Sequence, residues 1–395
     1  MPQIVSPFRR LATLLEGVEP GEPPIDLSIG EPHHPMPPFV GERLAEAVAE
    51  FGRYPPIAGT PALRGAIAHW IGRRYPELAG AVSPADHVLP LCGSREGLFS
   101  AIFPATARRK TARKPAVLLP NPFYFAYAAA AEAAQAEAVP LAATAATGHL
   151  PDLDAIEPAV LERAIAFYLA SPANPQGAAA DEAYLGRAVA LARSHDFLLF
   201  ADECYSEIYC DAAPPGALAA AHRKFGDFHN VIAFQSLSKR SNLPGLRSGF
   251  CAGDPAFIEA FGRLRNVACP QMPLPIQHVS AAVWADEAHV EESRALYREK
   301  FAAADRLLGE RFGYRRPAGG FFLWLDMGGH GGGERAAKTL WKACGVKLLP
   351  GAYLAHAAPG AANPGENHVR LALVENLERT ETALERIVAW SQGDG

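Results

Sequence analysis

Between residues 87 and 253 the chain carries six short apolar runs: HVLPL (87–91), AVLLP (116–120), AIAFYLA (164–170), FLLFAD (197–202), VIAFQS (231–236) and GFCAG (249–253). Strands that are apolar on both faces belong to parallel sheets covered by helices above and below. Helix-like stretches separate the first five runs, so the pattern predicts an α/β domain with a mostly parallel sheet. Only twelve residues lie between the last two runs. That is too few for a helical crossover, so this turn reverses the chain and one strand runs antiparallel, making the sheet mixed.

Beyond residue 275 the pattern changes to longer helices, such as VEESRALYREKFAAADRLLGERF, and a hairpin-like RRPAGGFFLWLDM. That predicts a second, smaller α+β domain. The expected division is a large domain over 43–274, with 1–42 and 275–395 forming an N-terminal arm and the small domain. A chain of 395 residues with 49% hydrophobic content can build both cores. Residues 8–16 form an amphipathic arm that packs on another lobe or subunit. IGEPHHPMPP (29–38) is an extended connector because of its prolines, and the Ala-rich AYAAAAEAAQAEA (126–138) is ordinary helix.

A net charge of −5 leaves no basic footprint for nucleic acid. The densest cationic run, ARRKTARK (107–114), is expected to be a solvated loop between a helix and a strand. The six cysteines form no CxxC pair, which suits free thiols in a reducing cytoplasm and no metal site. No leader-like or membrane-spanning run occurs, so a cytoplasmic protein is expected. There is no G-x-G-x-x-G after a strand, and GGHGGG (328–333) has the wrong context for a dinucleotide. The first forty residues do not resemble a DNA-binding module.

Ligands of open α/β sheets bind beyond the carboxyl ends of the strands, so the residues that follow each run carry the chemistry. After 231–236 comes SLSKRSNLPGLRSGF, with Lys239 in a Ser-, Gly- and Arg-rich turn. Only eight of the 37 basic residues are lysines. Unlike arginine, a lysine amine can lose its proton and attack a carbonyl to form a Schiff base. After 87–91 comes CGSREG, where Ser94 either caps a helix or opens a phosphate cradle. NPFYFAY places Tyr124 where it either packs at a rim or stacks on a flat ring. DECYSE sets Asp202 three residues before Tyr205: a carboxylate for a protonated ring nitrogen and a phenol for a ring hydroxyl, or simply a capped turn. Each signal is weak alone. Together they are what pyridoxal 5′-phosphate, a phosphorylated pyridine aldehyde, requires.

Taken with SLSKRSNLPGLRSG, the chain from about 25 to 390 resembles the class I/II aminotransferases of the fold-type I pyridoxal-phosphate enzymes. The resemblance implies that Lys239 carries the cofactor. It implies that Ser94, the backbone of Arg95, Ser236 and Arg247 bind its phosphate, and that Asp202 holds the ring nitrogen. Tyr205 and Asn174 would bond the ring hydroxyl, and Tyr124 would lie on the ring face. Tyr54, in RYPPIAGTPALR, would reach the phosphate of a neighbouring subunit, which implies a homodimer with shared active sites. Arg370, in NHVRLALV, would grip the substrate α-carboxylate, and Gly30, in SIGEP, would lie in the loop that closes over it. By this resemblance Lys239, Asp202 and Tyr205 are the catalytic set.

Within the class the motifs most resemble the N-succinyldiaminopimelate aminotransferases. That implies N-succinyl-LL-diaminopimelate and 2-oxoglutarate as substrates in lysine biosynthesis. The alternatives are an aminotransferase of other specificity, or a lyase or decarboxylase on the same fold. Gln176, Ser248, His33 and Met36 depart from the usual pattern. A second anion on the substrate would need one of His33, Arg9, Arg10 and Arg95.

Overall fold

The structure, a computed structural model, describes residues 6–357 and 362–393. A seven-stranded sheet runs through its centre. The strands are β1 (Val88–Leu91), β2 (Ala116–Asn121), β3 (Glu137–Ala142), β4 (Ala164–Ala170), β5 (Leu198–Asp202), β6 (Val231–Ser236) and β7 (Gly249–Gly253). Their order across the sheet is β1-β7-β6-β5-β4-β2-β3. All pairings are parallel except those of β7, which runs antiparallel to both β1 and β6. The short link after β6 thus reverses the chain, as its length requires.

Two expectations need correction. The Ala-rich segment is helix only over Phe125–Ala133. Gln135 then takes a left-handed φ of 54°, and the remainder enters the edge strand β3. That strand has no fully buried residue, so it lacks the continuous apolar run that marks its neighbours. RRPAGGFFLWLDM is not a hairpin either. Its strand β8 (Phe322–Asp326) pairs with β10 (His368–Ala372), and β10 pairs in turn with β9 (Leu349–Pro350). ARRKTARK starts inside a short 3-10 turn, Thr106–Arg108, and its remainder leads as a loop into β2.

Alternation along the strands sorts side chains to two faces. Phe167, Leu199, Ala233 and Phe250 join Trp70, Val189 and Trp284 in one core. Tyr168, Phe200, Phe234 and Cys251 join Leu98, Tyr127 and Phe261 in the other. A third core gathers Tyr297, Phe301, Leu323, Leu340, Leu371 and Leu384 around the β8–β10 sheet, with Ile25 and Leu27. The arm helix Pro7–Leu14 buries Leu11 against Leu349 and Leu354. No described helix is long and apolar enough to cross a membrane.

The first core supports the reversing turn directly. Trp284 packs 4.8 Å from Trp70 and 5.0 Å from Phe250, ring centre to ring centre. The guanidinium of Arg240, beside Lys239, lies 4.9 Å over Trp284. Truncating Trp284 to Ala should therefore cost about 3–5 kcal/mol, measured by equilibrium urea unfolding. A loss below about 0.5 kcal/mol, the range of surface substitutions, would show that this cluster does not hold the turn.

Candidate active site

β6 delivers the chain to Ser236, and one helical turn, Leu237–Arg240, follows. The turn is closed on itself. Ser238 N–H donates to Ser236 Oγ at 3.1 Å, and Leu237 N–H donates to the Ser248 carbonyl at 3.1 Å. This points Lys239 into a cavity of about 410 Å³ at the carboxyl ends of the strands. Its Nζ donates to the Gly30 carbonyl. Burial holds the Lys239 amine down to about 8; Arg370 and Arg95 push the same way, against Cys204 and Glu31.

β5 delivers Asp202 to the same cavity. Its Oδ2 accepts from the Tyr127 hydroxyl at 2.6 Å, and its Oδ1 accepts from Cys204 N–H at 3.3 Å. Burial pushes this carboxyl above its usual range, although the bonds from Tyr127 and Cys204 oppose the shift. A buried carboxylate with only neutral donors gains most from a cationic N–H.

Ser94, Ser236, Ser238 and Arg247 also line the cavity. Space for the Arg247 guanidinium depends on Gly93. Its φ is +87°, and a Cβ there would lie 2.4 Å from Arg247 Nη2. Arg247 itself is held in a left-handed conformation, φ 55°, with Nη1 donating to Pro244 O at 2.9 Å. Three hydroxyls and a guanidinium, to which no carboxylate among the described residues is bonded, form a donor set that fits a phosphate.

Arg370 enters from β10 and is only 3% exposed. Nη1 donates to Asn174 Oδ1 at 2.9 Å and Nη2 to Ser28 O at 2.7 Å. The Phe322 ring lies 4.3 Å from the guanidinium. Its Nε is buried without a partner among the described residues. Burial lowers this guanidinium to about 10, with Tyr205 opposing. An unmatched buried cation on a cavity wall is what a carboxylate would satisfy. Tyr205 packs edge-on against Phe321 and Phe322. Burial pushes its phenol well up, so it stays neutral. The Tyr124 hydroxyl accepts from Arg95 Nε, and both residues line the cavity.

The fold therefore gathers Lys239, Asp202, Tyr205, Ser94, Arg95, Tyr124, Asn174, Ser236, Arg247, Arg370 and Gly30 around one space. Tyr54 is the exception: it is 98% exposed and off the cavity wall of its own chain. Tyr127, Ser238, Cys204 and Phe322 were missed by sequence reasoning. Tyr127 carried a faint signal, three residues after Tyr124 and so one helical turn away. Among the departures, Gln176 turns its amide to Ala143 O at 3.1 Å and does not line the cavity. Ser248 accepts from Ser280 Oγ at 2.7 Å beneath the turn. Met36 is exposed, and His33 lies 3.7 Å from Glu375; neither lines the cavity. Of the four candidates for a second anion, only Arg95 does.

Residues 22–387 match the family model of aminotransferase class I and II. The chain belongs to that family, whose members depend on pyridoxal phosphate, and it is an aminotransferase. It is 33% identical over 374 residues to 4-dedimethylamino-4-oxo-anhydrotetracycline transaminase of Streptomyces rimosus, covering 92% of each chain. It is 32% identical to the LL-diaminopimelate aminotransferase of Desulforudis audaxviator, covering 92% of this chain and 89% of that one. Among solved structures, an aminotransferase from Neisseria meningitidis superposes with a TM-score of 0.92 at 37% identity, over 99% of this chain and 100% of the other. A probable N-succinyldiaminopimelate aminotransferase from Thermus thermophilus gives 0.84 at 27%, over 97% and 100%. The fold, the class of reaction and the cofactor expected from the sequence are thus borne out.

Two outcomes follow. Gly93→Ala should weaken pyridoxal phosphate binding by at least about tenfold, since the new methyl displaces Arg247 from a charge-assisted contact; a titration followed by absorbance checks it, and an unchanged affinity would contradict the cradle. Association of the cofactor with the apoprotein needs the neutral amine, so its rate should rise with pH and level off above about 8. A rate still climbing towards the ordinary lysine range would contradict the depressed value.

Proposed function

We propose that this aminotransferase moves the amino group of N-succinyl-LL-diaminopimelate to 2-oxoglutarate, as a step in lysine biosynthesis. The observation that carries the reading is the buried Arg370 guanidinium, its Nε unpartnered, on the same cavity wall as Lys239. Both proposed substrates carry a carboxylate at the reacting end and another at the far end. Arg95, the remaining cation that lines the cavity with Arg247 and Lys239, suits the far one. Relatives named for diaminopimelate and N-succinyldiaminopimelate support the substrate class.

In this reading the phosphate of the cofactor would be held by Ser94, the Arg95 backbone, Ser236 and Arg247. Ser238 would add a further hydroxyl. Asp202, bonded by Tyr127, would keep a proton on the ring nitrogen. Tyr205 and Asn174 would bond the ring hydroxyl, and Tyr124 would lie on the ring face. When bound, pyridoxal phosphate supplies the electron sink for negative charge developing at the substrate Cα. Arg370 fixes the α-carboxylate as a bidentate pair and so sets which Cα bond faces Lys239. Asn174 links the two ends by accepting from Arg370. Lys239 Nζ then takes the Cα proton as general base and returns it as general acid. Burial, which holds this amine down to about 8, raises its neutral fraction near pH 7.5 far above that of an unperturbed lysine.

The division into 43–274 and the remainder belongs to the same reading, except that the helix Leu274–Ala285 goes with the large domain, since its Val279, Val283 and Trp284 sit in the first core of the sheet. The same reading includes a homodimer in which Tyr54 serves the partner's site. Val48, Phe51 and Val267 are apolar yet 56%, 53% and 82% exposed on the isolated chain, as an interface would leave them. Sedimentation equilibrium checks this, and a monomer would refute it.

Lys239→Ala should abolish turnover while the protein still folds; turnover at the wild-type rate would sink the assignment. Arg370→Lys should lower kcat/KM by about 100-fold, because a lysine cannot form the bidentate pair. For the substrate, the holoenzyme is mixed with amino donor and no keto acid. N-succinyl-LL-diaminopimelate should bleach the visible band to the pyridoxamine form. A band indifferent to it and responsive to L-glutamate would keep the aminotransferase and discard this substrate.

A further inference from the structure

Lys300 lies on the long helix Ala288–Leu308 and is only 1% exposed. Its ammonium has no carboxylate in ion-pair distance among the described residues. Nζ instead lies 2.6 Å from His34 Nε2 and donates to Leu373 O at 3.1 Å. Burial holds this amine down to about 8, with Glu375 opposing from a distance. Glu375 is itself engaged by Arg379 at 2.9 Å. The reaction described above makes no use of Lys300.

While Lys300 carries its proton it can only donate, so Nε2 accepts and the ring proton sits on Nδ1. Nδ1 faces Ser293 Oγ at 3.2 Å on the same helix. Ser293 Oγ also accepts from Asn242 Nδ2 at 3.2 Å, and Asn242 Nδ2 reaches Pro35 O at 3.2 Å. Asn242 is three residues beyond Lys239, and Leu373 is three beyond Arg370. The His34 ring packs 4.3 Å from Tyr297. The downstream end of the connector is therefore tied to three elements at once. Its upstream end carries the Ser28 carbonyl that accepts from Arg370 and the Gly30 carbonyl that accepts from Lys239.

We propose that Lys300 and His34 are positioning residues: their bond anchors the segment 28–38, so that its carbonyls orient the Arg370 guanidinium and the Lys239 amine. An apolar side chain of similar length would fill the same space beside Tyr297. The cation is explained by the bond it makes, not by packing. The inference rests on the roles given to Lys239 and Arg370 above.

The test uses Lys300→Met, His34→Phe and His34→Gln holoenzymes. L-glutamate is the amino donor, and proteinase K probes the connector. Lys300→Met and His34→Phe should each raise the rate of cleavage between residues 28 and 38 about tenfold. Each should raise KM for L-glutamate about tenfold with a smaller change in kcat, and His34→Phe, which strands the buried ammonium, should also lower the melting temperature. His34→Gln keeps an acceptor for Lys300 and should restore both readouts. Wild-type cleavage and KM in the first two variants would overturn the assignment. So would a raised KM without altered cleavage, or faster cleavage without altered KM. If Lys300→Met fails to fold, the contrast between His34→Phe and His34→Gln decides alone. A wild-type chain that takes up no pyridoxal phosphate would refute the reading of Lys239 and this inference with it. A normal holoenzyme with indifferent variants refutes only this one.

Discussion

An amine is a useful nucleophile near neutral pH only if something removes its preference for the charged form, and for Lys239 that is burial at the end of β6. The side chain reaches a cavity whose nearest charged neighbours include Arg370 and Arg95, and its hydrogen bond goes to a carbonyl, not a carboxylate. An aspartate bonded to this amine would hold it protonated and inert. The rest of the structure serves this arrangement. The antiparallel return of β7 folds the turn tightly enough to aim Lys239 inward, and the Trp70–Phe250–Trp284 cluster stiffens it from below.

The same logic recurs around the cavity. Asp202 is an anion bonded to neutral donors. Arg370 is a cation whose Nε has no partner among the described residues, and Arg247, which stays exposed, spends its bonds on main-chain carbonyls. Asp202 and Arg370 are desolvated at a cost the isolated chain does not recover. Each of the three would be matched by one part of a substituted pyridine or an amino acid: ring nitrogen, α-carboxylate, phosphate. Complementary charges left unpaired within one space mark a site built to be completed by ligands.

Much of this was legible in the sequence because the sheet is buried on both faces. Continuous apolar runs located six of the seven strands, and the chemistry followed at their carboxyl ends. What escaped has physical causes. β3 is a half-exposed edge strand, so its sequence EAVPLA reads as the tail of an alanine-rich helix. β8 pairs with a strand some forty residues further on, a distance that no local pattern reports. Arg370 has nothing in its own segment to mark it, and only the resemblance to a family picked it out. Tyr127 bonds Asp202 across 75 residues, and Lys300 meets His34 across 266; contacts of that range belong to the fold and not to any motif.

The measurement that bears most directly on the central claim is reduction of the reconstituted holoenzyme with borohydride, followed by peptide mapping by mass spectrometry. Reduction fixes the cofactor to whichever amine holds it. The account predicts a single pyridoxyl adduct, on Lys239 in the peptide that contains SLSKR. An adduct on any of the other seven lysines, Lys300 included, or no adduct at all, would contradict it.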